Sequence, residues 1–108
     1  MILKQGIYHW YAVYTRINRE KKVAGFLEEN AIEHYLPLKK TLRQWSDRKK
    51  WVKEPLFRSY IFVKVSHREF FNVLNIPGVV RYICFGGVPQ SIPDQQVEFA
   101  RALVEEGV

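Results

Sequence analysis

The chain has 108 residues, 47% of them hydrophobic and 26% charged, with a net charge of +6 at pH 7. That composition fits one globular domain around one core and excludes a disordered chain. No apolar run nears the roughly 18 residues of a membrane span, the opening six residues lack a signal-peptide pattern, and the lone Cys84 has no intrachain partner, so a cytoplasmic protein is expected.

Charge is unevenly placed. Residues 39–58 hold eight basic side chains (Lys39, Lys40, Arg43, Arg48, Lys49, Lys50, Lys53 and Arg58) against Asp47 and Glu54, while the remaining residues balance at nine basic and nine acidic. The whole excess therefore sits in one segment. Such a patch concentrates polyanions near the surface, although the same charges also suit a solvated hairpin that resists aggregation.

Residues 9–15 read as a first strand, with Trp10, Ala12 and Tyr14 on one face and Tyr11 and Val13 on the other. A helix over 19–29 follows, capped by Asn18, with Val23, Ala24, Leu27 and Ala31 at helical spacing. Asn30 suits the left-handed residue that ends it. Gly25 inside it costs about 1 kcal/mol relative to Ala, which points to close packing or to tolerance. A second strand over 33–40 contains Pro37, which cannot donate to a ladder and places this part at an edge or bulge. Residues 41–53 then predict a protruding hairpin with its tip at 46–50.

Residues 57–65 form the strand around which the chain is organised. It is rich in β-branched and aromatic residues, and alternation sends Phe57, Ser59, Ile61, Val63 and Val65 to a core face. Arg58, Tyr60, Phe62 and Lys64 take the other, which sets two large aromatics between two cations. A face finished that way usually binds something; covered by a helix, the same aromatics would be core. Ser66 is expected to cap a short helix over 67–74, with Phe70, Phe71 and Leu74 turned to the core. A fourth strand over 79–85 buries Cys84 and ends at Gly86-Gly87. The last helix begins near Pro93, carries Val97, Ala100, Leu103 and Val104 as its apolar stripe, and stops at Gly107. The order predicts an α+β, ferredoxin-like split βαβ fold: a four-stranded, mainly antiparallel sheet with helices on one face and a protruding basic hairpin.

No catalytic arrangement emerges. His9, His34 and His67 have no acidic partner at a recognisable spacing, His67 has no companion at metal-ligand spacing, and there is no P-loop, dinucleotide turn or nucleophile elbow. Neither an enzyme nor a cofactor or metal is expected. Two binding readings remain. RNA-recognition domains share the split βαβ plan and stack bases on strand aromatics. Residues 58–65 follow that spacing in part, but Ser59 and Ile61 replace small positions and Val65 replaces an aromatic.

The second reading rests on a resemblance. Trp10-Tyr11-Ala12-Val13-Tyr14-Thr15, then Glu20-Lys21-Lys22-Val23, Pro37, the run from Glu54-Pro55-Leu56-Phe57-Arg58 to Ser59-Tyr60-Ile61-Phe62-Val63, Pro77-Gly78-Val79, Gly86-Gly87-Val88-Pro89 and Ile92-Pro93 together resemble the N-terminal domain of the NusG family over nearly the whole chain. The long basic hairpin is closer in character to the specialised RfaH and UpxY-type antiterminators. The resemblance implies a domain that binds the clamp helices of bacterial RNA polymerase, reaches the gate loop, holds the clamp closed and suppresses pausing and termination. On matching positions Tyr14, Phe57, Tyr60 and Phe62 line the polymerase contact. Residues 69–72 hold the place of the gate-loop contact, where Phe70 and Phe71 replace polar residues and Asn72 follows. Arg16, Lys21 and Lys22 fall where the family faces upstream or non-template DNA, and Arg48, Lys49 and Lys50 offer a second basic surface. No small-molecule substrate and no membrane are implied. The family continues through a linker into a small KOW barrel. Nothing here corresponds to it, so these residues are expected to be an excised domain rather than a natural short form, with recruitment outside them.

Overall fold

In the computed structural model, which describes residues 7–105, the elements in chain order are β1 (His9–Thr15), α1 (Glu20–Glu29), β2 (Glu33–Tyr35), β3 (Leu38–Gln44), β4 (Lys49–Pro55), β5 (Tyr60–Val65), α2 (Phe70–Leu74), β6 (Val79–Tyr82), β7 (Cys84–Phe85), β8 (Val88–Pro89), β9 (Ser91–Ile92) and α3 (Asp94–Glu105). β1 lies in the middle of the main sheet, whose order is β2-β5-β1-β6, with the short β9 also paired to β1. All of these pairings are antiparallel. Because β5 sits between β1 and β2, the β1-α1-β2 unit is split as the sequence predicted.

Alternation sends Val13 of β1 and Ile61, Val63 and Val65 of β5 to one face. There they meet Val23 and Leu27 of α1 and Val73 of α2 in the buried core. The third helix departs from expectation, for it packs on the opposite face. Arg101 of α3 lies over Trp10 and Tyr35, and Asp94 stands 4.0 Å from Lys64, whose side chain shares the face of Tyr60 and Phe62. Trp10 is large and buried, and a helix is what buries it.

Several boundaries also moved, each for a local reason. The strand expected over 33–40 divides at Pro37, which is fully buried and whose carbonyl accepts the amide of Leu56 at 2.8 Å. Everything beyond it belongs to a separate two-stranded ribbon, so the hairpin runs over 38–55 with its tip at 45–48. Asn18 does not cap α1. It takes a left-handed turn (φ 61°), and Arg19 stands at the cap without a side-chain bond. At the other end Asn30 is not left-handed; its amide donates to the carbonyl of Phe26, and Ala31 takes the positive φ.

β5 starts three residues later than alternation suggested, because 56–59 is a turn in which Ser59 has φ 66°. Ser66 is buried but caps nothing. A turn at 67–69 delays α2 and rotates it, so that Val73 is buried while Phe71 and Leu74 are exposed. The strand expected over 79–85 breaks at Ile83. The chain leaves the sheet there as a small hairpin turned by Gly86 and Gly87, both at positive φ, and Cys84 is exposed instead of core. The predicted stop at Gly107 lies outside the described residues. Among the described residues no helix is long and apolar enough to cross a membrane.

Candidate functional site

The sheet face opposite the main core is only half covered. α3 closes it over Trp10, and the rest carries aromatic side chains. Tyr14 and Tyr60 are register partners with ring centroids 5.7 Å apart, and Arg81 lies 5.8 Å above Tyr14. One step along, Phe62 opposes Ala12 and stacks with Tyr35 of the edge strand at 6.3 Å. Phe57 meets Phe62 edge-on at 6.4 Å. Tyr60 is 39% exposed and Phe57 44% exposed. Small Ala12 beneath Phe62 leaves room for the larger ring to lie against the sheet.

This patch runs into an apolar groove of about 400 Å³ between sheet and helix. Phe57 and Phe62 line it with Ile92, Val97, Ala100 and Leu103, and Phe99 stands at 65% exposure beside it. Its chemistry is that of a contact surface: aromatic and aliphatic walls with cations at the margin. Tyr35, Arg81 and Phe99 were not among the residues read from the sequence as functional. Tyr35 joins the patch only through the β2 to β5 register, and Phe99 lies off the helical stripe that sequence periodicity picks out.

Phe57 reaches the patch by a turn and not by alternation. Glu20, buried at the start of α1, accepts the amide hydrogen of Ser59 at 2.7 Å, while the Ser59 carbonyl accepts the amide of Thr15 at 2.8 Å. The left-handed Ser59 between these two bonds reverses the pleat. Phe57 therefore swings to the side of Phe62, contrary to the core face that a continuous strand would give it.

Phe70, Phe71 and Asn72 are not brought to this patch. Phe70 stacks on Tyr82 at 4.0 Å and meets Tyr11 edge-on, and its carbonyl accepts the Tyr82 hydroxyl at 2.7 Å, so it is a packing residue on the helix side of the sheet. Burial pushes the Tyr82 phenol well above the ordinary tyrosine range, with Tyr11 and Glu69 adding to the effect. Phe71 leans on Phe70 at 64% exposure, and Asn72 is exposed at the same end.

The cations are spread over the start of α1, the cleft at the base of the hairpin and both faces of the ribbon. Arg16 is exposed in the turn after β1, and Lys21 and Lys22 are exposed on the first turns of α1. Lys21 is tied to the hairpin, donating to the Lys53 carbonyl at 2.7 Å, and the cleft there is also lined by Lys39, Arg43 and Arg58. Lys49 and Lys50 lie on β4, and Arg48 sits at the tip, 5.9 Å over Trp45. Arg43 donates to Glu54 at 2.6 Å, which holds that carboxyl below the ordinary glutamate range. Among the described residues no cluster of His, Cys, Asp or Glu is placed to hold a metal.

The sequence model of the NusG family, described as transcription termination factor nusG, matches residues 8–101. No curated protein matches the chain. Among 23 matching chains of solved structures is NusG of Thermotoga maritima, from a study of its domain interaction. It is 24% identical and superposes with a TM-score of 0.57 over 83% of this chain and 53% of that one, a likeness of fold. The present chain thus spans about half the length of that protein.

Proposed function

The chain belongs to the NusG family of transcription factors, and from that premise we propose that it docks on bacterial RNA polymerase through the aromatic face, at the clamp helices, and acts in elongation as an antiterminator. The observation that carries the reading is the half-covered sheet face, where Tyr14, Tyr60, Phe57 and Phe62 stand together beside an apolar groove. Exposed aromatics gathered over a shaped apolar floor are the usual anchors of a protein contact. A helical element of the clamp laid along the groove would bury Phe57, Phe62 and Leu103, with Tyr60 closing one end. Phe71 and Asn72, on the other side of the domain, would meet a second element of the enzyme such as the gate loop. Bridging two parts of the polymerase in this way holds the clamp closed and disfavours the open, paused state. The cations at Arg16, Lys21 and Lys22, continued by Arg48, Lys49 and Lys50, would follow upstream or non-template DNA. The length of the basic hairpin favours a specialised, RfaH or UpxY-like role.

The test is binding of this chain to purified bacterial core polymerase, with and without Tyr60→Ala, beside a random single-stranded RNA over a salt series. Docking predicts that Tyr60→Ala weakens polymerase binding about thirtyfold or more, as expected for loss of a buried aromatic anchor. Tight RNA binding that depends on Tyr60, without polymerase binding, would replace this reading with that of an RNA-recognition sheet.

A further inference from the structure

The most exposed ring of the basic hairpin stands apart from the aromatic face. Trp51 lies on β4, far along the hairpin from Tyr60, and is 64% exposed. No other ring or cation among the described residues stacks on it. In the β3 to β4 register Trp51 opposes Leu42, and residues directly opposite share a face. Counting outward by twos, that face carries Lys40 opposite Lys53 on one side of Trp51 and Gln44 opposite Lys49 on the other. It holds no acid, because Glu54 belongs to the opposite face and is taken there by Arg43. Like charges directly opposite one another destabilise a ribbon, so Lys40 facing Lys53 is an arrangement that gains from a polyanion.

The surface is also concave. Where the hairpin leaves the domain, Trp51, Lys39, Lys40 and Lys53 line a hollow of about 680 Å³ with Tyr35, and Glu105 at the end of α3 is the one acid on its wall. Tyr35 is already taken, with Arg101 4.4 Å from its ring and Phe62 stacked on it. Trp51 is the ring with a free face.

We infer that this face of the hairpin is a binding platform for a single-stranded nucleic acid, on which Trp51 stacks a base while Lys40, Lys53 and Lys49 take the flanking phosphates. A ring between cations on a ribbon face without an acid of its own matches the alternation of base and phosphate along a single strand. A duplex does not fit, because its bases are already stacked and present no face to Trp51. Stacking and phosphate charge are common to both kinds of strand, so RNA and DNA strands of matched sequence bind alike. The inference does not depend on polymerase docking, which uses other residues.

The experiment is fluorescence anisotropy of labelled dT15 and rU15, and of a 15-base-pair duplex, with the unaltered chain, Trp51→Ala, Trp51→Phe and the double variant Lys40→Gln with Lys53→Gln. The expected result is binding of both single strands in preference to the duplex, weakened about tenfold in Trp51→Ala and largely kept in Trp51→Phe. The lysine variant lowers the slope of log affinity against log salt by about 1.4, or roughly 0.7 for each phosphate contact. Unchanged affinity in Trp51→Ala, or equal binding of the duplex, overturns the platform. Tyr60→Ala serves as the cross-check: strand binding that survives it and falls in Trp51→Ala belongs to the hairpin, whereas strand binding lost in Tyr60→Ala and kept in Trp51→Ala belongs to the sheet and overturns the platform.

Discussion

Replacing Glu20 tests whether one carboxylate sets the aromatic face. Its side chain is 4% exposed and accepts the Ser59 amide at 2.7 Å, at the turn that sends Phe57 to Phe62. Glu20→Ala removes a charge-assisted bond and leaves a part-buried amide without a partner, a combined cost of about 2–3 kcal/mol. For a domain of about 100 residues that corresponds to roughly 10–20 °C in Tm. Glu20 also sits in the first turn of α1, where a negative charge contributes about 0.3–1 kcal/mol through the helix dipole. Glu20→Gln separates the two effects, because the amide oxygen keeps the bond to Ser59 while the charge is lost. The bond therefore predicts Glu20→Gln recovering more than half of the loss in a urea titration. Amide exchange at Ser59 should accelerate in Glu20→Ala alone, and polymerase affinity should fall more in Ala than in Gln. Equal losses in Gln and Ala, both under about 1 kcal/mol, would refute the argument and leave only the dipole.

Two glycines should respond oppositely to alanine. Gly25 is exposed in α1 with nothing within 4 Å of an added Cβ, and Gly25→Ala is expected to raise stability by about 1 kcal/mol in chemical denaturation. Gly78 has φ 96° and its Cβ would lie 2.9 Å from Val23 Cγ2, so Gly78→Ala should destabilise by about 2 kcal/mol in the same assay. Tyr82 has its phenol held neutral by burial, with a folded-state pKa raised above the unfolded one; its contribution is complete below the ordinary tyrosine range and is lost as pH rises beyond it. An alkaline absorbance titration should show one tyrosine that ionises only on unfolding, absent in Tyr82→Phe. Glu54 behaves in the opposite sense. Its folded-state pKa is depressed by Arg43, so its contribution is complete above the ordinary glutamate value and is lost as pH falls through the lowered one. Tryptophan fluorescence from the hairpin should report a change below about pH 4 that Glu54→Gln abolishes.

The parts of this fold that could be read in the sequence are those where one physical signal acts alone. β1 was placed to the residue because five of its seven residues are aromatic or β-branched and leave no competing period. α1, α3 and the hairpin were found for the same reason, with ends shifted by one to three residues. The errors fall where a tertiary bond decides. Ser66 reads as a cap, but the turn at 67–69 moves α2 away from it, and Phe71 and Leu74 rotate out of the core with that shift. Cys84 lies in an apolar run and still reaches the surface, because β1 is already paired along this edge by β6 and β9 and the intervening chain must loop out.

The aromatic face shows the same division more sharply. Tyr14, which pairs with Tyr60 from β1, entered only through the family resemblance. Tyr60 and Phe62 were legible because β5 alternates strictly, and two rings between cations are improbable as a surface for water alone. Phe57 was not legible by that route. Alternation assigns it to the core, and only the left-handed Ser59, held by Glu20 from 39 residues away, returns it to the patch. The family resemblance grouped Phe57 with Tyr60 and Phe62, and the turn held by Glu20 brings it against Phe62. The groove beside it was not legible from periodicity, since that reading set α3 on the other face of the sheet. What the sequence lacks is the balance between Trp10, which requires a helix over its end of that face, and the exposed aromatics, which require that the helix go no further. α3 leans over Trp10 and stops short of Tyr60, and that partial cover is what leaves a site.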